Sequence, residues 1–260
     1  MALRLGGYGP DINIGGQTIK PDADGYYKLR AGALNTVNNS GIFYRVTEDV
    51  MSLFTKNSMA IKKIRHKRLY GEMNHPEPTE AMKLQMKREG NQNAFLKRQL
   101  AIEPSNLTHH IRSFELFETN EVDRMTGLKK IIVYVEIKPY GPHKQMVIDA
   151  LNDKDMAFSL SMRSMVLEQK VNGRVERRIV SLITWDFVIT PGIKGSSDQG
   201  TMGFEFDETD LLSLKQLVKA DFDATGNEAD EECSEEVGSL LSCLSCAELK
   251  KSTEVNLNDW

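Results

Sequence analysis

The sequence predicts an α+β domain built mainly on antiparallel strands, and three stretches carry that reading. Residues 155–192, DMAFSLSMRSMVLEQKVNGRVERRIVSLITWDFVITPG, are two long runs around Asn172-Gly173, the dipeptide best suited to a tight type I′ turn. In KKIIVYVEIK (129–138), Ile131, Val133, Val135 and Ile137 fall on one face and Ile132 and Tyr134 on the other, as in a strand buried on both sides. Helical patterns flank both, at VTEDVMSLF, from near Thr79 ahead of a polar, Lys-rich stretch to about Leu100, and at Gln145–Leu151.

The remaining elements follow in chain order. Residues 1–40 are rich in Gly, Asn and Asp, with turn signals at Gly15-Gly16 and Asp24-Gly25, and read as short strands and loops. AIKKIRHKRLY (60–70) alternates and reads as a strand. The two prolines after His75 in GEMNHPEP forbid a central strand and make a loop that leads into the helix near Thr79. After Gly192 the pattern turns helical at ETDLLSLKQLVKA, and the acidic run DFDATGNEADEECSEE reads as a disordered linker before a last amphipathic segment, VGSLLSCLSCAELKK. The division is a domain over 1–205 and a C-terminal helix with an acidic tail over 206–260.

Composition narrows the function classes. At 260 residues, 40% hydrophobic and 27% charged, the chain can bury a substantial core. No apolar run approaches the roughly 20 residues of a membrane helix, and the start lacks the apolar core of a secretory signal, so the expectation is a soluble, cytoplasmic protein. The three cysteines all follow residue 230 and cannot form a complete disulfide framework. Cys243-x-x-Cys246 with Cys233 is half a zinc site without a partner pair, so neither metal nor cofactor is expected. Residues 221–260 hold eleven acidic residues against two lysines, which leaves the body basic. Its basic residues are scattered and not interleaved with aromatics, which argues against specific nucleic-acid binding.

Side chains alternate across a strand, so Phe158, Leu160 and Met162 share one face of the hairpin while Ser159, Ser161 and Arg163 share the other. Regular pairing from Val171–Arg174 sets Ser161 opposite Thr184 and Ser159 opposite Asp186, with Asp186 diagonal to Ser161 at about 7–8 Å. A hydrolytic triad needs an imidazole between carboxylate and serine, so the diagonal relation favours Ser161; a β-bulge would change this. The alternative is that Ser159, Ser161, Thr184 and Asp186 form the solvent face of a hairpin. An Asp between Trp185 and Phe187 nevertheless wants a histidine or arginine as partner.

Three blocks in order, LYGEMNHPEP (69–78), AFSLSMRS (157–164) and LITWDFVITPG (182–192), resemble the prohead maturation proteases of tailed bacteriophages, in particular the T4-like branch. NNSGIFY (38–44) is similar to that family's opening block, and LTHHIRSFEL lies where the family has its Ser-His-Ile block. The resemblance runs from about residue 38 to 192. It implies His75 as general base, Ser161 as nucleophile and Asp186 as third member, with Ser159 a rival nucleophile and His110 the runner-up base. Arg163, through its backbone, side chain or a held water, is the candidate oxyanion stabiliser. His109 reads as structural or as an accessory beside the triad, and His66 and His143 as solvated or turn residues.

The implied fold is a small, mainly antiparallel β-barrel wrapped by helices, like the herpesvirus assemblin proteases. The implied function is cleavage of phage scaffold or core and major capsid proteins, and of the protease itself, after glutamate in small-x-Glu motifs inside the assembling prohead in the host cytoplasm. Ser252-Thr253-Glu254 and Ala229-Asp230-Glu231 are such strings, which makes Glu254 and Glu231 candidate self-cleavage positions in the tail. Glutamate selectivity requires a basic pocket, for which Lys62, Lys63, Arg65, Arg163, Arg177 and Arg178 are candidates. An inactive capsid-assembly or scaffold protein with the same fold is the alternative, and convergence of His75, Ser161 and Asp186 in space discriminates the two.

Overall fold

The computed structural model describes residues 2–6, 20–37, 41–55, 58–89, 93–153, 156, 158–171 and 173–189. The expected C-terminal helix, acidic linker, last amphipathic segment, cysteines, Glu231 and Glu254 lie outside these residues, as does Asn172 of the turn.

The strands are β1 (Ala2–Gly6), β2 (Tyr27–Leu34), β3 (Ile42–Tyr44), β4 (Tyr70–Glu72), β5 (Leu107–Val122), β6 (Lys129–Pro139), β7 (Ser159–Val171) and β8 (Arg174–Val188). The helices are α1 (Glu48–Thr55), α2 (Met59–Arg65), α3 (Glu80–Glu89), α4 (Asn93–Leu100) and α5 (Lys144–Asn152). Two four-stranded sheets result, in the orders β1-β7-β8-β3 and β2-β6-β5-β4, antiparallel throughout except for the parallel pair β3–β8.

The hairpin is the spine of the first sheet. Phe158, Leu160, Met162, Trp185 and Phe187 turn one face into a core shared with Val133, Val135 and Ile137 of β6. Trp185 meets Phe114 and Phe54 at ring-centroid distances of 4.9 and 6.3 Å. Val50, Leu53 and Phe54 of α1, Ala60 of α2 and Val147, Ala150 and Leu151 of α5 extend this core. Burying an aliphatic or aromatic side chain of this size is worth about 1.5–3 kcal/mol, so it is this face that fixes which side of the hairpin points inward.

Three expectations are corrected. The strand expected over 60–70 is helix α2 through Arg65 and reaches strand only at Tyr70: Ser58 caps α2 by accepting the Ile61 N–H at 3.1 Å, and Lys67, at φ +57°, ends the turn before the short β4. Ile61 and Ile64, three apart, both pack against the core, a helical spacing that the alternation of charges disguised. The polar stretch after Thr79 is two helices, the first opened by the Thr79 hydroxyl accepting the Met82 N–H at 3.2 Å.

The third correction concerns the barrel, which does not close among the described residues. Where β4 meets β8, the backbone ladder is replaced by side chains: Thr184 Oγ1 donates to the Tyr70 carbonyl at 2.6 Å, and Asp186 Oδ1 accepts the Glu72 N–H at 3.0 Å. Only an isolated bridge, Met73 to Phe187, spans the seam. The two sheets stay open because groups that would zip them are given to the site.

Candidate active site

Two bulges decide what the hairpin presents. Pairing begins at Val171–Arg174 as expected, then slips by one residue between Val166 and Met165 and by another between Ser164 and Arg163. Each single slip reverses the faces; two restore them. Ser161 therefore lies directly opposite Asp186, Arg163 opposite Thr184, and Ser159 opposite Val188, a correction of the expected diagonal that keeps Ser161, Arg163 and Asp186 on one face. That face is not solvated: Ser159, Ser161, Arg163, Thr184 and Asp186 are all buried.

His75 reaches this face from the loop after β4. Asn74 adopts φ +58° and donates its N–H to the Phe187 carbonyl at 2.8 Å, which turns the chain out of the strand, and Pro76 keeps it from entering a helix at once. Asn106 Nδ2 holds the Met73 carbonyl at 3.0 Å, and the buried Gln99 holds the Pro76 carbonyl with its Nε2 at 3.0 Å. The imidazole thus has fixed backbone on both sides. Its Nε2 lies 2.8 Å from Ser161 Oγ and its Nδ1 2.8 Å from Asp186 Oδ2. An ionised carboxylate only accepts, so Nδ1 carries the proton and Nε2 is left to accept from the serine hydroxyl. His75 keeps a third of its side chain exposed while Asp186 has none, so the site opens to solvent at the histidine end.

Asp186 is buried but not isolated. Burial by itself would raise its carboxyl, but the Arg163 guanidinium and the hydrogen bond from His75 outweigh that and hold it well below the usual carboxylate range. Arg163 Nε donates to Oδ2 at 2.8 Å and Nη2 to Oδ1 at 2.6 Å, a bidentate pair. The same Nη2 reaches Glu72 Oε2 at 2.7 Å, and Nη1 donates to the carbonyls of Gln99 and Ala101, both at 3.1 Å, at the carboxyl end of α4. All five N–H groups of this guanidinium are committed. The side chain has none to offer a developing oxyanion, so of the three routes considered for Arg163 only its backbone or a held water remains.

The other candidates lie elsewhere. His110 faces away from His109 on β5, with Nδ1 3.0 Å from the Tyr26 hydroxyl and Nε2 3.2 Å from the Lys67 carbonyl; the structure does not bring it to Ser161. Ser159 is on the Ser161 face, but the nitrogens of His75 engage Ser161 and Asp186. His109 is entirely buried behind β4, its Nδ1 2.8 Å from Thr108 Oγ1, and burial pushes its imidazole down to about 4. Of the candidate basic-pocket residues, Arg177 pairs with Glu168 at 3.0 Å and the Tyr44 hydroxyl at 3.1 Å, and Arg178 with Asp49 at 3.7 Å.

Sequence reasoning missed Glu72, Arg98 and Gln99. Glu72 stood inside the histidine block, and an acid ending a Tyr-Gly-Glu strand just ahead of His75 was the available signal. Arg98 and Gln99 lay in a polar helical stretch with nothing to mark them.

A profile of the Peptidase S80 family matches residues 13–249, across the expected boundary at 205. Over 196 residues, 75% of this chain and 69% of the relative, the sequence is 29% identical to a capsid maturation protease of Pseudomonas phage phiKZ. Among solved structures, the capsid assembly protease of bacteriophage T4 is similar with a TM-score of 0.45 and 12% identity, covering 72% of this chain and 99% of that one. The chain belongs to the Peptidase S80 family and is a phage prohead maturation protease.

Proposed function

We propose that this protease is a serine endopeptidase in which Ser161 is the nucleophile, His75 the general base and Asp186 the group that orients and stabilises the imidazole. The observation that carries this reading is the position of His75, 2.8 Å from both Ser161 Oγ and the Asp186 carboxylate. A serine hydroxyl attacks only as its proton leaves, and Nε2 is the acceptor in line to take it. Asp186 then faces the imidazolium through Nδ1 without itself taking the proton, and its depressed carboxyl keeps it ionised while it does so. Arg163 fixes the Asp186 carboxylate plane and is a positioning residue.

The substrates on this reading are scaffold or core and major capsid proteins, and the chain itself, cut after glutamate in small-x-Glu strings. Support for capsid-related substrates comes from the capsid maturation protease of phage phiKZ. Cleavage takes place inside the assembling prohead in the host cytoplasm. The tail, residues 206–260, is an assembly or inhibitory extension from which self-cleavage after Glu231 or Glu254 releases residues 232–260 or 255–260. Convergence of Ser161, His75 and Asp186 favours catalysis over an inactive assembly protein of the same fold.

The test is intact-mass analysis of the purified chain beside Ser161→Ala, Ser159→Ala and Glu231→Ala/Glu254→Ala after incubation. Time-dependent truncation lost in Ser161→Ala alone among the serine variants supports the assignment, and loss in Ser159→Ala alone moves the nucleophile. Normal truncation of the double glutamate variant at the normal positions would refute tail removal at those residues.

A further inference from the structure

The triad rests on a second buried acid. Glu72, the residue after Gly71 on β4, has a fully buried side chain and touches Asp186 by two routes at once. Its own N–H donates to Asp186 Oδ1 at 3.0 Å, and its carboxylate Oε2 accepts from Arg163 Nη2 at 2.7 Å. Oε2 also accepts from Arg98 Nη2 at 3.0 Å, and Oε1 accepts the Glu103 N–H. Glu72 and Asp186 thus share Arg163, and Arg98 bridges Glu72 to Glu103, whose Oε2 lies 3.3 Å from its Nη2.

The carboxyl end of α4 closes the arrangement. Carbonyls at the end of a helix carry partial negative charge and lack intrahelical donors. Those of Gln99 and Ala101 accept Arg163 Nη1, while the Gln99 side chain grips the Pro76 carbonyl beside His75. One helix end therefore holds both the histidine loop and the arginine that orients the aspartate. Glu72 accepts the Nη2 hydrogen that Asp186 does not take, which completes the five-donor set holding the bidentate face toward Asp186.

We propose that Glu72 is a positioning residue for this protease, acting through Arg163 and its own N–H to set the Asp186 carboxylate against His75, with Arg98 and the end of α4 as its anchor. This rests on the triad reading above. Displacing reacting groups by about 1 Å can cost on the order of 100-fold in rate, which sets the scale of effect.

The experiment compares wild type, Glu72→Gln, Arg98→Gln and Ser161→Ala on a peptide substrate taken from the mapped cleavage site, together with far-UV circular dichroism. Proton NMR follows the downfield Nδ1 proton of His75, which reports the bond to Asp186. Glu72→Gln is expected to remain folded, to lose about 10- to 100-fold in kcat with KM unchanged, and to lose or broaden the downfield proton. Arg98→Gln, which keeps the Glu72–Arg163 contact but removes the Arg98 bonds to Glu72, Glu103 and the Ala101 carbonyl, is expected to shift both readouts in the same direction by less. If Glu72→Gln does not fold, Arg98→Gln decides alone. Wild-type kcat and an unaltered downfield proton in the folded variants would overturn the proposal while an inactive Ser161→Ala left the triad standing. Turnover by Ser161→Ala would overturn the triad reading and the proposal with it.

Discussion

Ser161 lies directly across the β7–β8 ladder from Asp186, yet the two are joined through His75, which enters from a different strand and holds one of them on each nitrogen. The pairing is the outcome of two single-residue bulges in β8, which cancel in parity but advance Asp186 by two positions relative to a regular hairpin.

Removal of the hydroxyl separates the two serines of this face. Ser161→Ala is expected to reduce kcat/KM on a cleavage-site peptide by at least about 10,000-fold, the scale seen when a triad nucleophile is removed. Ser159→Ala, two pairs further along the ladder, is expected to stay within about tenfold of wild type, since both His75 nitrogens engage Ser161 and Asp186. Steady-state kinetics with matched melting curves check both.

Arg163→Met tests the arginine. Both Asp186 and Glu72 would keep buried carboxylates without their shared partner, and breaking a buried pair on one side costs about 3–5 kcal/mol. Urea unfolding at neutral pH measures this loss. The sign with pH follows from the lowered Asp186 carboxyl: the stability it contributes is complete above about pH 4 and drains as the pH falls through the lowered folded value. In Arg163→Met the folded value moves back toward the ordinary one, so the acid-side loss starts at the same pH but is smaller and ends at a higher pH.

His109 sets a second pH dependence. Its folded-state value, about 4, lies below the unfolded value of 6.5, so between these limits the unfolded chain binds a proton that the folded chain refuses. Stability is unaffected above about pH 6.5 and falls toward pH 4, by on the order of 3 kcal/mol for a shift of this size. His109→Gln is expected to be less stable at pH 7 for lost packing, yet to have a flatter dependence of urea midpoint on pH between 6.5 and 4. An unchanged slope would remove His109 as its source.

Gly71 is where β4 passes closest to β8. A Cβ there would stand 2.2 Å from the Trp185 carbonyl and 2.3 Å from the His109 ring, and one of these is backbone that cannot yield. Gly71→Ala is expected to destabilise the protein by about 1–3 kcal/mol or more. Because Glu72 and the His75 loop follow directly, activity is expected to fall further than stability accounts for. Thermal denaturation compared with kcat in the folded fraction separates the two effects.

Much of the fold and the site was legible in the chain because it is local. Alternation in 129–138 and 155–192 depends only on the period of a strand, and the buried faces of β6, β7 and β8 follow it. The solvent-face alternative for Ser161 and Asp186 failed for the reason that made Asp186 conspicuous: a carboxylate between Trp185 and Phe187 needs partners, and it has them in His75, Arg163 and the Glu72 N–H. The helix over Met59–Arg65 was misread because its lysines and arginines are interspersed with isoleucines closely enough to imitate a strand, and the short-range signs against it are the Ser58 cap and the three-residue spacing of Ile61 and Ile64.

By itself, the sequence determined the residue types of the site, their order along the chain and the face of the hairpin they share, since strand period, turn chemistry and the histidine-proline loop all act over a few residues. Only the tertiary structure decided the register that sets Ser161 against Asp186, the open seam between the sheets, and the contacts of Glu72, Arg98 and the end of α4 around Arg163. Those depend on bulges and on hydrogen bonds between segments up to 114 residues apart, where a donor finds its acceptor only after the chain has packed.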